Sequence, residues 1–358
     1  MRGNEGMRQW GHGEVRIPRL LCHPERAQRV AGSALTRRAR HGESRQGVKH
    51  RRCLTPVPTP VPARWRRLTL GVLLASVSAA PLQGQRKVSA GYATTADVSV
   101  RLFASVGAVH VVGWDRDSVD VMGSVAAGSK VALNAPQSGA ARGLKMFIEA
   151  PTEQAGREGA LTMRVPRGAR VWLKTGSAEL TVTDVTGGLD LNVVGGSITV
   201  HGNPRELRAE SMDGAVTIDG APEWMRVKTA TGDIALRGGQ DVGASTISGT
   251  IDARNGDADH MKLESTTGTI RFALGLARGA TVEMETHSGP IEIQLPRKTS
   301  VDIDAATVTG EITNDWSGTK PSVGSEGRGM TLVTSGAPLG ARVTVRSFKG
   351  KIAIRARG

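Results

Sequence analysis

Aromatic residues and cysteine are scarce in this chain. Phe, Trp and Tyr make up 3% of its 358 residues, too few for the base-stacking platforms of a single-strand nucleic-acid binder. The two cysteines, Cys22 and Cys53, both fall early. Beyond them no disulfide, thiolate metal site or lipid-modified cysteine can form. Excess charge of one sign is also missing where it would matter. The net charge is +14, but residues 1–67 hold 16 Lys+Arg against 4 Asp+Glu. Residues 68–358 hold 31 against 29 and are nearly neutral. Nucleic acid is therefore not an expected partner.

No long hydrophobic run is present either. The longest, Leu68 to Ala80, follows the basic Trp65-Arg66-Arg67 and precedes the polar Gln83-Gly84-Gln85. It falls short of the roughly 20 residues a membrane helix needs and has the make-up of a secretory signal peptide. Residues 65–85 are read as that signal, cut after Ala79 or nearer Gln85. Residues 1–64, basic and proline-rich, are read as a disordered leader or as the result of a start placed too far upstream. Export to the periplasm, the cell surface or the medium is the expectation.

What the chain has in abundance is repetition. One column of small residues reads Ala178, Gly196, Gly214, Gly232, Gly249, Gly268, Gly289, Gly310 and Gly350, with steps of 18, 18, 18, 17, 19, 21, 21 and 40. Two residues past it stand Leu180, Ile198, Val216, Ile234, Ile251, Ile270, Ile291, Ile312 and Ile352. Five before it stand Leu173, Leu191, Ala209, Val227, Ala244, Leu263, Met284, Ala305 and Val345. Seven before it stand Val171, Leu189, Leu207, Met225, Val242, Met261, Val282, Ile303 and Val343. All 27 of these flanking positions are apolar in a chain that is 39% hydrophobic. A fixed echo of this kind marks a stacked architecture.

Inside each unit apolar and polar residues alternate, so each unit is two short strands with one face in a core. The strands flank a turn of the form Ser/Thr-x-x-Gly. Its hydroxyl column runs through Thr175, Ser211, Thr229, Thr246, Ser265, Thr286, Thr307 and Ser347, with Val193 the exception. Glycine in such a turn serves either a left-handed backbone or close approach of neighbouring backbones. The hydroxyl can bond a nearby backbone group or the hydroxyl of the next unit. The expected fold is all-β, a parallel β-solenoid of about ten short two-strand rungs over residues 171–358, with an N-terminal β cap region over 86–170. The alternative is an antiparallel β-sandwich or prism. An early rung is visible at Val100, Leu102, Gly107, Val109 and Val111. Val119-Asp120-Val121, Lys145 to Ile148 and Leu161 to Val165 read as ordinary cap strands. From Asp315 to Gly336 the pattern breaks, as a degenerate rung or a long excursion.

The unit Leu-Lys-Thr-x-x-Gly-Asp-Ile-x-Leu, together with Leu161 to Pro166, resembles a bacterial β-strand-repeat family of unknown function labelled "putative adhesin". The resemblance spans roughly residues 95–358. It implies a β-solenoid-like domain, exported or membrane-attached, and supplies no catalytic residues.

Chemistry-bearing residues do not gather. His110, His201, His260 and His287 fall in different rungs, without the spacing of a helix-borne metal pair. Asp252 to His260 collects oxygen ligands around Gly256, but no acidic residue closes a calcium loop and Arg254 intrudes. Glu179, Asp233 and Glu311 lie several rungs apart, which excludes an acid–base pair. Asp302 with Asp304, and Glu283 with Glu285, lie on solvated faces, with Lys262, Arg271 and Arg297 nearby. No nucleophile elbow, phosphate loop or dinucleotide fingerprint is present. Trp172 alternates opposite Val171 and Leu173 and so faces outward, Trp224 and Trp316 sit in connections, and these with Trp114 are read as partly buried structural residues. No catalytic, cofactor-binding or metal-ligating residue is assigned. The expected function is a non-catalytic adhesin-like binding or scaffold surface at the cell envelope, meeting envelope polysaccharide or a membrane or surface protein. A carbohydrate-active β-helix enzyme, lyase or hydrolase, is the alternative. Oligomeric state is left open.

Overall fold

The strands from Arg170 to Asn314 and from Ala341 to Arg357 carry the repeats. Before them come β1 (Arg86–Ala104), β2 (Ala108–Trp114), β3 (Ser118–Val125), β4 (Lys130–Asn134), β5 (Ala141–Glu149), the single turn α1 (Glu153–Gly156) and β6 (Ala160–Pro166). The first seven repeats are β7 (Arg170–Thr175), β8 (Glu179–Thr183), β9 (Gly188–Val193), β10 (Ile198–His201), β11 (Glu206–Ser211), β12 (Val216–Asp219), β13 (Trp224–Thr229), β14 (Ile234–Arg237), β15 (Asp241–Thr246), β16 (Ile251–Ser265), β17 (Ile270–Thr286) and β18 (Ile291–Pro296). Last come β19 (Val301–Thr307), β20 (Ile312–Asn314), β21 (Ser322–Val323), β22 (Met330–Thr334), β23 (Ala341–Ser347) and β24 (Ile352–Arg357). The structure is a computed structural model that describes residues 84–136, 139–297, 299–324, 327–336 and 340–357. These all fall in the unit Ser76–Gly358. The leader 1–64 and nearly all of the signal segment 65–85 lie outside the described residues. Among the described residues no helix is long and apolar enough to cross a membrane.

The protein is all-β. Each repeat contributes one strand before the glycine turn and one after it, and each kind pairs in parallel with its own kind. Before the turn, Val171 lies opposite Leu189, Leu189 opposite Leu207, and Leu207 opposite Met225. After the turn, Ile198 lies opposite Val216, Val216 opposite Ile234, Ile234 opposite Ile251, and Ile251 opposite Ile270. All three apolar columns read from the sequence are buried over their whole length. Apolar side chains on one face of each strand thus stack on their own kind, and each fully buried Ile or Leu contributes roughly 1.5–3 kcal/mol. In β16 and β17 the return connection is itself extended, so one long strand serves two rungs.

The glycine column is explained by close approach. A Cβ on Gly214, Gly232, Gly249, Gly268 or Gly289 would overlap the carbonyl oxygen of the glycine one rung back. The hydroxyl column is buried, and Ser211, Thr246, Thr286, Thr307 and Ser347 in it cap the same turn. Thr246 Oγ1 accepts the N–H of Gly249 at 3.1 Å, Thr286 that of Gly289 at 2.9 Å, and Ser347 that of Gly350 at 2.7 Å. Between rungs, Thr229 Oγ1 lies 3.0 Å from Thr246 Oγ1.

The order of rungs departs from chain order at both ends. The pair β1/β2 lies between β5/β6 and β7/β8. The pair β23/β24 lies between β17/β18 and β19/β20. Two sequence readings change with this. Lys145 to Ile148 and Leu161 to Val165 build a rung of their own, with Leu144 opposite Val100 and Leu161 opposite Val109. Their turn is the long segment containing α1, which hides the repeat motif. The stretch from Asp315 to Gly336 is not a degenerate rung. It holds β21 and β22, which pair antiparallel with each other, and β22 pairs antiparallel with β19. Antiparallel pairing at the other end joins β1 to β3, β3 to β6 and β4 to β5.

Candidate binding face

Alternation sends every second side chain of the strands before the turn outward, and parallel register aligns these side chains in columns. One column begins Lys145, Arg101, Trp172, Asp190, Arg208 and Arg226. Its neighbour begins Phe147, Phe103, Lys174, Asn192, Glu210 and Lys228. Toward the other end the same columns turn acidic, with Lys262 opposite Glu283 and Glu264 opposite Glu285.

At the basic end the aromatic rings touch. Phe103 meets Trp172 edge to face, centroids 4.6 Å apart, and Phe147 at 5.3 Å. Lys145 Nζ sits 5.7 Å above the Phe103 ring, and the Arg226 guanidinium 4.6 Å from the Trp224 ring. Arg226 also bonds Asp241 at 2.8 Å. Arg101 and Lys174 are exposed and make no ion pair among the described residues. Phe103, Trp172 and Trp224 line a shallow depression of about 610 Å³, with Asp190 and Glu206 among its walls.

A second surface runs along the glycine turns. Val194, Met212, Ala230, Ile247, Thr266, His287, Phe348 and Val308 succeed one another from rung to rung, and all but the half-buried Ala230 are exposed. The His287 and Phe348 rings stack at 5.1 Å. Between this stripe and the segment through Arg328 and Thr331 lies a groove of about 900 Å³.

The residues weighed from sequence stay apart. His110 is exposed on β2, His201 lies 3.4 Å from Asp219, His260 lies 3.9 Å from Asp259, and His287 lies on the turn stripe. Asp252 is paired with Arg254, which stays protonated above its ordinary range because that carboxylate bonds it. Asp233 accepts the N–H of Thr250 at 2.7 Å, and Glu311 pairs with Lys351 at 3.0 Å. Asp304 bonds Arg346 at 2.7 Å, and Asp302 accepts the N–H of Gly336 at 2.6 Å. Arg271 pairs with Glu292 at 3.3 Å, while Arg297 lies in the turn after β18. Glu264, 2.7 Å from Lys262, holds that ammonium above its ordinary value by its hydrogen bond. Among the described residues no group of three or more His, Cys, Asp or Glu converges to hold a metal.

All four weighed tryptophans are half-buried. Trp114 Nε1 donates to Ser118 O at 2.8 Å, and Trp316 Nε1 to Pro296 O at 3.0 Å. Trp172 faces outward as its alternation predicts. Trp224 opens β13 instead of sitting in a connection. Sequence reasoning missed Phe103, Phe147, Arg101 and Lys145. The offset from Gly107 marks Arg101 and Phe103 as outward, but nothing in the sequence places that rung beside β5.

These columns define a repeat-built all-β domain that displays its polar side chains on outer faces. The chain belongs to the family described as Toastrack DUF4097, which matches residues 94–355, in agreement with the resemblance read from its repeats. Among solved structures it is similar to a "putative adhesin" from Bacteroides fragilis, at 11% identity over 76% of this chain and 98% of that one, with a TM-score of 0.40. It is also similar to a "putative cell adhesion protein" from Clostridium sporogenes, at 12% identity over 76% and 100%, with a TM-score of 0.21. A "putative lipid binding protein" from Parabacteroides distasonis matches at 11% over 76% and 97%, with a TM-score of 0.31. No curated protein matches the chain.

Proposed function

We propose that this domain is a β-solenoid exported to the cell envelope, where it acts without catalysis as an adhesin-like binding or scaffold surface. One observation carries the reading. The inward columns are apolar apart from the buried hydroxyl column of the turns, and the charged groups stand outside in registered ladders. Such ladders suit a partner that makes many weak contacts along several rungs. Three of the carboxylates weighed as catalytic candidates support the same reading, because Asp302, Asp304 and Glu311 each have a partner of their own. The carbohydrate-active alternative draws on Asp190 and Glu206 in the depression beside Trp172.

The test is a binding screen of the purified protein against envelope glycans and envelope extracts, run beside a polysaccharide depolymerisation assay. Saturable binding with no new reducing ends is the expected result. Depolymerisation that disappears in Glu206→Gln would replace this reading with the enzymatic one.

A further inference from the structure

Resting on the binding-surface reading above, we propose that the outer face around Trp172 takes an acidic polysaccharide, laid across the rungs from β5 to β13. Three observations lead there. The chain holds only 4 Phe and 6 Trp, yet Phe147, Phe103 and Trp172 form one contiguous strip on an outer face. Aromatic rings partly open to water match the apolar face of a sugar ring, and their edges leave its hydroxyls free. The neighbouring cations are the second observation. Arg101 lies directly opposite Lys145, and like charges in direct register repel. Among the described residues Arg101 has no ion pair and Lys145 only the face of Phe103, so an anion from outside would relieve both. The third is periodicity. Successive rungs stand about 4.8 Å apart, so a linear polymer crossing them meets Lys145, Arg101, Trp172, Asp190 and Arg208 in turn.

The carboxylates in and beside that line decide between polymers. A single-stranded nucleic acid carries a phosphate at every residue and is best met by an unbroken basic track. Asp190 interrupts the track here, and Glu206 stands beside it in the column of Gly188 and Trp224. Facing a polysaccharide they become acceptors for sugar hydroxyls, while the flanking cations meet its acidic groups.

The experiment measures binding of the full chain to polygalacturonate, with pullulan as the neutral glycan and oligo-dT as the other polyanion. Polygalacturonate should bind more tightly than either and weaken as salt is raised. Trp172→Ala and the double change Arg101→Gln, Lys145→Gln should each weaken it by about tenfold. Glu283→Gln, at the acidic end of the same face, should leave it unchanged. Unaltered far-UV dichroism and melting in all three variants would show that the fold survives. Equal binding of pullulan, equal binding of oligo-dT, or indifference to the Trp172 and Arg101 changes would each overturn the proposal. A different envelope component captured through Trp172 would also sink the acidic-glycan assignment while leaving the binding-surface reading intact. Failure of every envelope component to bind would sink both.

Discussion

The turn column works because glycine has no side chain where two backbones meet. From sequence, two reasons for glycine stood open, and the contact geometry selects close approach. Gly249→Ala drives a Cβ into the carbonyl of Gly232. Chemical denaturation should show a loss of about 1–3 kcal/mol, the usual range for overpacking. Gly176→Ala, where a Cβ meets nothing within 4 Å, should change little. The hydroxyl column divides in the same way. Thr246→Val leaves the buried N–H of Gly249 without its acceptor, and the same measurement should show about 1–3 kcal/mol lost. The hydroxyl of Ser265 is buried with no partner among the described residues, so Ser265→Ala should be neutral or slightly stabilising.

Strands were the most legible level, because period two and three apolar columns report burial directly. Neighbour order was not legible. Val100, Val171 and Val343 present the same kind of inward residue, so hydrophobic pattern alone fits any rung against any other. The rung built by β5 and β6 escaped for a different reason, since the segment containing α1 replaces its glycine turn. The observed order makes β19 and β20 depend on strands that follow them in the chain. They contact the stack through β23 and β24. Removing residues 341–357 should therefore disturb two rungs. Hydrogen exchange should show amide protection lost across Val301–Thr307 and Ile312–Asn314, with protection kept in β9 to β14. Retained protection at Asp304 and Ala306 would contradict this, because the Ile303 N–H instead bonds Thr334 Oγ1 of β22.

For the molecule as a whole, the sequence revealed the architecture through what repeats and concealed the binding face in what does not. Trp172 was legible as outward, but its neighbours Phe103 and Phe147 come from a strand that precedes it by some seventy residues and from one without the motif. The aromatic strip exists only once β1 has entered between β5 and β7. The described domain lacks cysteine, so its thermal midpoint should be the same with and without reductant.

The tucked position of β1/β2 and of β23/β24 also bears on synthesis. A repeat array laid down in chain order could consolidate rung by rung as it leaves the ribosome. Here β1 and β2 emerge first and must wait for partners on either side. At the far end, β19 and β20 emerge and find their place in the stack vacant until the final strands arrive. Such long-range closure is slow relative to local pairing. Completion of the C-terminal extremity therefore waits for the last residues to be made, whereas β1 and β2 can close once β8 has emerged, and a nascent chain stalled before Ala341 exposes β19 as an unpaired parallel edge.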